Sequence, residues 1–340
     1  MESTIAHIAS LILFDKRIYL FDVVNDGIQD CFNVRMTYNT QMPFNRPTIL
    51  RIHCWGGLGS QLYAWALLED LVIDFPNRRI KLVLHSSGVT RRESDLDFLR
   101  VELEVDVVDD FKETFRNLRG SRKVIPRWKI GVSGGLKFIL QKLGFLATAD
   151  DDYEYAKIRR WTTDIRGHYS KRTISNETLS HMRTRTERCG KSWFTECLSE
   201  SINLNVFRIH VRLGDLLTLD TKEPLAFERI YSAINQYDTI DSVSRTFYVA
   251  SDSLEIACKN FLENYPQDML IPVVEDPWST ISVLSRSGIF IGTNSKISVW
   301  AAILRFNQDR TSKVSLPEGA MNHLKHNLTG FSDTTSLKLY

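Results

Sequence analysis

The sequence predicts an α/β protein with two Rossmann-like domains facing each other across a cleft. Three observations predict it. Short β-branched and apolar runs alternate with longer amphipathic ones, the pattern of parallel strands and the helices that cover them. A glycine-rich turn, Gly56-Gly-Leu-Gly59, ends one strand-like run and opens a helix-like one. The same logic restarts after residue 200, and 340 residues suit two domains.

Taken in order, residues 1–45 read as an N-terminal appendage. Ile18–Val24 has strand character, Asn25-Asp-Gly27 is a turn, and Met42–Pro47, with two prolines, is a linker. The first Rossmann-like domain is expected over 46–200. Thr48–Cys54 is its first strand, Gln61–Phe75 a helix and Ile80–His85 the next strand, with a second strand–helix unit over Leu96–Phe115. The second domain is expected over 201–320, with a tail at 321–340. Its strands are Val206–Val211, Thr246–Ala250, Met269–Val274 and Ile289–Ile291. Its helices are Pro224–Tyr237, Ser253–Tyr265, Thr280–Ser287 and Ser295–Leu304.

Composition narrows the function. With 43% hydrophobic and 25% charged residues the chain is neither disordered nor collagen-like. A net charge of +2, from 43 basic and 41 acidic residues, argues against a dedicated nucleic-acid binder. Five cysteines at wide spacings form no Cys-x-x-Cys pair, which argues against a zinc ribbon and suits a reducing compartment. The N-terminus lacks the basic start of a signal peptide, and no apolar run approaches 18 residues. A cytoplasmic location is the expectation.

Ligands of open α/β sheets bind at the carboxyl ends of strands, and four clusters fall there. In Gly56-Gly-Leu-Gly-Ser-Gln61, Gly57 and Gly59 let a ligand approach the backbone ahead of a helix N-terminus; a plain tight turn uses the same residues. In His210-Val-Arg-Leu-Gly-Asp215, His210 and Arg212 share a face, and a guanidinium there can grip a diphosphate; a salt-bridged strand end is the alternative. In Tyr248-Val-Ala-Ser-Asp252, Asp252 suits ribose hydroxyls or a helix cap. In Gly292-Thr-Asn-Ser-Lys-Ile-Ser298, the polar side chains of Asn294, Ser295 and Ser298 crowd another helix start, a ready phosphate site.

Together these motifs, spanning about residues 48–305, resemble the α-1,2-fucosyltransferase family. Arg166-Gly-His-Tyr169 sits where that family has a Gly-Tyr-aromatic segment. The chain departs from the family at Ser60 (usually Asn), Leu213 (usually a second Arg) and Lys296–Val299 (usually aromatic-rich). The resemblance implies a GT-B-type inverting transfer of fucose from GDP-fucose to a glycan hydroxyl; with no secretory or membrane segment read in the sequence, a bacterial enzyme of surface-polysaccharide synthesis, such as that of lipopolysaccharide O-antigen, is the expectation. It implies a nucleotide-sugar domain at 201–320 and an acceptor-side domain at 46–200. Arg212 and Asp215 are the candidate catalytic pair, with Asp220 as a second candidate base. Gly57, Gly59, His210, Asp252, Asn294, Ser295 and Ser298 are expected toward the donor, and Ser60, Gln61 and His168 toward the acceptor. No cofactor and no metal are expected, because Arg212 and helix-end N–H groups can carry the leaving diphosphate. Another nucleotide sugar as donor, or a non-catalytic nucleotide-sugar or glycan-binding protein, are the alternatives.

One segment stands apart from the resemblance. Residues 116–149 carry eight Lys/Arg and no Asp or Glu, interleaved with Trp128, Phe138 and Phe145. It reads either as a docking surface for an anionic membrane, placing the protein at the inner face of the cytoplasmic membrane, or as a basic solvated face.

Overall fold

Two all-parallel sheets organise a computed structural model of the chain. It describes residues 8–14, 17–23, 49–86, 94–108, 138–194, 205–213, 227–237, 244–274, 276–328 and 337–339. Met1–Arg46 is a unit of its own, in which β1 (Ile8–Phe14) and β2 (Arg17–Val23) pair as an antiparallel hairpin. Pro47–Tyr340 is the second unit and holds both sheets.

The first sheet has the order β5-β4-β3-β7-β6. Its strands are β3 (Leu50–Trp55), β4 (Ile80–His85), β5 (Glu104–Val108), β6 (Leu146–Thr148) and β7 (Asp164–Arg166). After β3 the chain runs to one side through β4 and β5, then crosses to the other for β6 and β7. The switch falls at β3, whose carboxyl end carries the glycine-rich turn. Leu50, Ile52 and Cys54 are buried on one β3 face, and Arg51, His53 and Trp55 share the other. Helix α1 (Leu58–Asp74) is buried along most of its length, from Leu58 to Leu71. Helix α2 (Asn176–Arg188) packs against it, capped by Ser175.

The second sheet has the order β10-β9-β8-β11-β12-β13. Its strands are β8 (Val206–Val211), β9 (Thr246–Ser251), β10 (Met269–Pro272), β11 (Ile289–Gly292), β12 (Val314–Leu316) and β13 (Leu337–Leu339). Helices α3 (Phe227–Asn235), α4 (Leu254–Asn264), α5 (Pro277–Ser285), α6 (Lys296–Gln308) and α7 (Glu318–Asn327) accompany it. Its switch point is β8, flanked by β9 and β11, so the loops after these three strands converge.

One apolar core runs from the first sheet through α1 into α5, α6 and α7, so the two halves share their interior. A second core under α3 and α4 is built on Phe207, Ile209, Phe247 and Phe261. These are the two Rossmann-like halves that the sequence predicts, with some elements differing. Of the Leu96–Phe115 unit, residues 96–108 are described and form a 3-10 turn at Asp97–Val101 followed by strand β5; its remainder lies outside the described residues. The stretch from 321, read as a tail, contains most of α7 and all of β13. Asn327 closes α7 against the first half: its amide accepts from the Tyr63 hydroxyl at 2.7 Å and donates to the Ser170 carbonyl at 3.1 Å.

Candidate functional site

The carboxyl edges of both sheets meet where α1 and α6 begin. α1 follows β3 and α6 follows β11, the neighbour of β8, so each N-terminus lies at the carboxyl edge of its sheet. Gly59 makes the contact possible. A Cβ there would lie 2.7 Å from Lys296 Cβ and 3.0 Å from the Lys296 carbonyl carbon, closer than side chains tolerate. The Trp300 indole donates to the Gly59 carbonyl at 3.1 Å, and Lys296 Nζ donates to Ser60 Oγ at 3.0 Å. Gly56, with φ +105°, turns the chain from β3 into this approach, a conformation that L side chains avoid.

On the second-sheet side, the predicted residues converge. His210, at the end of β8, is buried, and its Nδ1 shares a 2.8 Å hydrogen bond with the buried Ser298 hydroxyl of α6. Burial pushes the His210 pKa down to about 4; Asp252 raises it and Arg212 lowers it further. The imidazole is therefore neutral at pH 7. The Arg212 backbone N–H donates to Thr293 Oγ1 at 3.1 Å, fixing the strand end against the loop before α6. Asp252 accepts from the Leu213 N–H at 2.7 Å, tying the β9 loop to the β8 loop. Ser295 caps α6 by accepting from the Ile297 N–H at 3.2 Å. The exposed Asn294 amide lies against Gly319 of α7. Asp215 and Asp220 lie outside the described residues.

On the first-sheet side, Gly57 is the cap position of α1, and no side chain hydrogen-bonds there. Ser60 faces Lys296. Gln61 is buried; its amide donates to the Gly56 carbonyl at 3.1 Å and accepts from the Asp95 N–H at 3.0 Å, so it shapes the glycine turn. His168 is exposed, and its backbone N–H donates to Asp150 Oδ1, which also takes the Tyr169 N–H at 3.0 Å. Tyr169 itself has φ +58° and a buried ring.

Sequence reasoning missed three participants. Lys296 lies at the meeting point of the halves. Burial lowers its pKa and so does Arg212, whereas Cys54 and Asp150 raise it. Asp150 organises the 167–169 turn. The third is a polar network on the β3 face away from α1. His53 joins His85 Nε2 and Asp164 Oδ1, each at 2.9 Å, and Arg51 pairs with the same carboxylate. Burial alone would raise the Asp164 pKa, but bonds from His53, Arg51 and Thr163 outweigh it and hold the carboxyl well below its usual range. Trp55 stacks on His85, with ring centres 4.3 Å apart and planes 13° apart. The signal for this network was the alternation of Arg51, His53 and Trp55 in β3.

Two Asp-x-Asp triplets occur in the chain. Asp97 pairs with Arg100 at 3.5 Å, and Asp95 gives its N–H to Gln61. Asp150 holds the 167–169 turn, and Asp151 caps a helical turn at Glu154. Among the described residues no group of three or more His, Cys, Asp or Glu could hold a metal ion. Among them, too, no helix is long and apolar enough to cross a membrane.

No protein-family model matches the chain, and no curated protein matches it. Solved structures resemble it at low identity. The E. coli heptosyltransferase WaaC with ADP is 11% identical over 86% of this chain and 92% of its own, with a TM-score of 0.39. The α-1,6-fucosyltransferase NodZ, soaked with GDP-fucose, is 14% identical over 76% and 93%, with a TM-score of 0.38. POFUT1 in complex with GDP is 12% identical over 79% and 97%, with a TM-score of 0.35.

Proposed function

We propose that the chain is a nucleotide-sugar-dependent, inverting glycosyltransferase, with GDP-fucose as donor and a glycan hydroxyl as acceptor. The observation that carries this reading is how the ends of β8 and β9 are tied to one another and to the start of α6, by His210 to Ser298, the Arg212 N–H to Thr293 and the Leu213 N–H to Asp252, with Ser295 capping α6 against the start of α1. The N–H groups of a helix start and its positive dipole end suit a diphosphate, and Arg212 adds a charge able to bind two of its oxygens.

In this mechanism the bond between the sugar's anomeric carbon and the diphosphate oxygen breaks. Its electron pair stays on the diphosphate, where Arg212 and the α6 N–H groups stabilise the developing charge. The acceptor hydroxyl attacks from the opposite face and gives up its proton, which inverts the anomeric centre. Asp215 is the first candidate to take that proton, and Asp220 the second. His210 is neutral and bonded through Nδ1 to Ser298, which suits a positioning group for α6 better than a base. Asp252 is left to meet the nucleoside.

The acceptor we infer is a glycan carried on an anionic membrane, as in surface-polysaccharide assembly in the cytoplasm. Phe138, Ile139, Leu143 and Trp161 are each at least 50% exposed, and Lys142, Arg159 and Arg160 are exposed beside them. The Trp161 indole donates to the Leu143 carbonyl, and the Lys142 ammonium lies over the Phe138 ring. Such an apolar patch rimmed by cations suits a lipid interface. It lies before β6 and β7, at the amino edge of the sheet and away from Gly56–Ser60. Residues 116–137 of the basic segment are outside the described residues.

A panel of nucleotide sugars tests the reading by thermal stabilisation and by diphosphate release in the presence of saccharide acceptors. GDP-fucose should stabilise the protein and release GDP. Turnover with another donor would move the reading to that sugar. Binding without turnover would make the chain a binding protein, and no response to any nucleotide sugar would overturn the proposal.

A further inference from the structure

Asp150 stands two residues past β6, at the carboxyl edge of the first sheet. Its Oδ1 accepts the N–H of His168 and, at 3.0 Å, that of Tyr169. The turn is built closely around this carboxylate: a Cβ on Gly167 would collide with Oδ1. Tyr169 holds φ +58° and is the one residue other than glycine in the left-handed region among the described residues. Its buried ring, and the bond from its hydroxyl to the Ile165 carbonyl at 3.1 Å, hold it there. Strain of this kind persists only where the surroundings fix it, and it gathers at functional sites.

The acidic neighbours are committed to local bonds. Asp151 accepts from the Glu154 N–H, Asp152 from the Thr173 hydroxyl, and Glu154 from the Thr148 hydroxyl and the Asp150 N–H. Asp150 differs. Among the described residues its Oδ2 accepts no hydrogen bond, and no Lys, Arg or His forms an ion pair with the carboxylate. It lies within electrostatic reach of Tyr169 and of Lys296, the first residue of α6, and both of these reach Cys54 near the end of β3. The carboxylate, held from behind by one oxygen, thus borders the meeting point of the halves from the side of the first sheet. An inverting transfer needs a proton acceptor on that side. With the diphosphate at the start of α6, the acceptor hydroxyl attacks from the opposite face, where the first sheet lies. Asp215 and Asp220 instead follow β8, the strand whose end carries Arg212.

We propose that Asp150 is the catalytic base on the acceptor side, its Oδ2 receiving first the hydrogen bond and then the proton of the attacking hydroxyl. This rests on the nucleotide-sugar reading above and moves the base from Asp215 or Asp220 to the first half. The hydroxyl's O–H bond breaks as its oxygen bonds to the anomeric carbon. The bond from that carbon to the diphosphate breaks, its electron pair leaves on the diphosphate, and the carboxylate becomes a carboxylic acid. Oδ1, holding two backbone N–H groups, keeps the carboxyl aimed throughout.

The test uses the full chain and the nucleotide-sugar panel above. Methyl glycosides of galactose, glucose, mannose and N-acetylglucosamine serve as acceptors, and water serves as the nucleophile where none of them reacts. Asp150→Asn keeps an oxygen for the two backbone N–H groups and removes the base. The expected result is a fall in turnover of roughly 10²–10⁴, the usual worth of a positioned base. Affinity for the nucleoside diphosphate of the preferred donor and the melting temperature should stay at the parent's values. Parent-like turnover in Asp150→Asn overturns the proposal. So does a lowered melting temperature with a parallel loss of nucleotide affinity, since that marks a carboxylate that only holds the turn. Asp215→Asn runs beside it, and a loss confined to that variant gives the proton to Asp215 instead. If the parent turns over no nucleotide sugar, the nucleotide-sugar reading fails, and this proposal with it; an active parent matched by Asp150→Asn sinks this proposal alone.

Discussion

The imidazole of His210 and the hydroxyl of Ser298, 88 residues apart in the chain, share a 2.8 Å hydrogen bond in the interior. It ties the end of β8 to the first turn of α6 and so sets the distance between Arg212 and the helix N-terminus.

That buried imidazole makes stability depend on pH. Its pKa is about 4 in the fold, against the usual 6.5, chiefly because burial penalises the charged form. The unfolded chain therefore takes up the proton first. The contribution is fully present above pH 6.5 and is lost as pH falls toward 4. At about 1.36 kcal/mol per pH unit the loss is on the order of 3 kcal/mol. Urea unfolding from pH 7 to 4 should show it, and His210→Gln should flatten that limb. An acid limb unchanged in the variant would mean that other groups cause it.

Arg212→Ala should cut turnover by about 10²–10³, the usual effect of losing one preorganised donor to a developing anion. Arg212→Lys should restore only part, because an ammonium lacks the paired geometry. Steady-state kinetics with the preferred donor checks both. Near-normal turnover in the alanine variant would hand the diphosphate to another residue.

Turnover should persist in excess EDTA. The leaving charge is assigned to Arg212 and the α6 N–H groups, which need no ion. Loss of activity in chelator, restored only by Mg²⁺ or Mn²⁺, would show that a metal carries that charge.

Gly59→Ala should destabilise the protein by about 1–3 kcal/mol, the usual cost of overpacking. The new methyl would meet Lys296 Cβ at 2.7 Å and the backbone beside it, which cannot swing away as a long side-chain tip can. Denaturant unfolding measures the loss; wild-type stability would mean that α1 and α6 separate at little cost.

Vesicles carrying anionic lipid should bind the protein and release it as salt rises, since each Lys or Arg near such a surface adds about 1 kcal/mol. Replacing Arg122, Lys123, Arg127 and Lys129 with Gln, or Phe138 and Trp161 with Ser, should weaken binding while sparing transfer to a small soluble acceptor. Equal vesicle binding by both variants would reduce the region to a solvated surface.

Much of the site was legible because it lies at the ends of strongly patterned strands. β3, β8, β9 and β11 are runs rich in β-branched, aromatic and other apolar residues, closed by Gly, Arg, Asp or Asn, and parallel sheets bring such ends together whatever their separation in sequence. What stayed hidden follows from short or polar elements. β6 and β7 are three residues each, and Asp164-Ile-Arg166 carries two charges. α2 has a polar composition and is held by its Ser175 cap and by Arg185, which pairs with the buried Glu69. The contact of Lys296 with Ser60, 236 residues away, depends on how two helices meet, and local pattern does not encode that.

The central claim is that α6 and Arg212 hold a nucleotide's diphosphate. A crystal of the full chain soaked with GDP tests it most directly. The expected result is a diphosphate within hydrogen-bonding distance of the Arg212 guanidinium and the first N–H groups of α6, with the ribose toward Asp252. GDP bound elsewhere, or no GDP in that site at saturating concentration, would contradict the account.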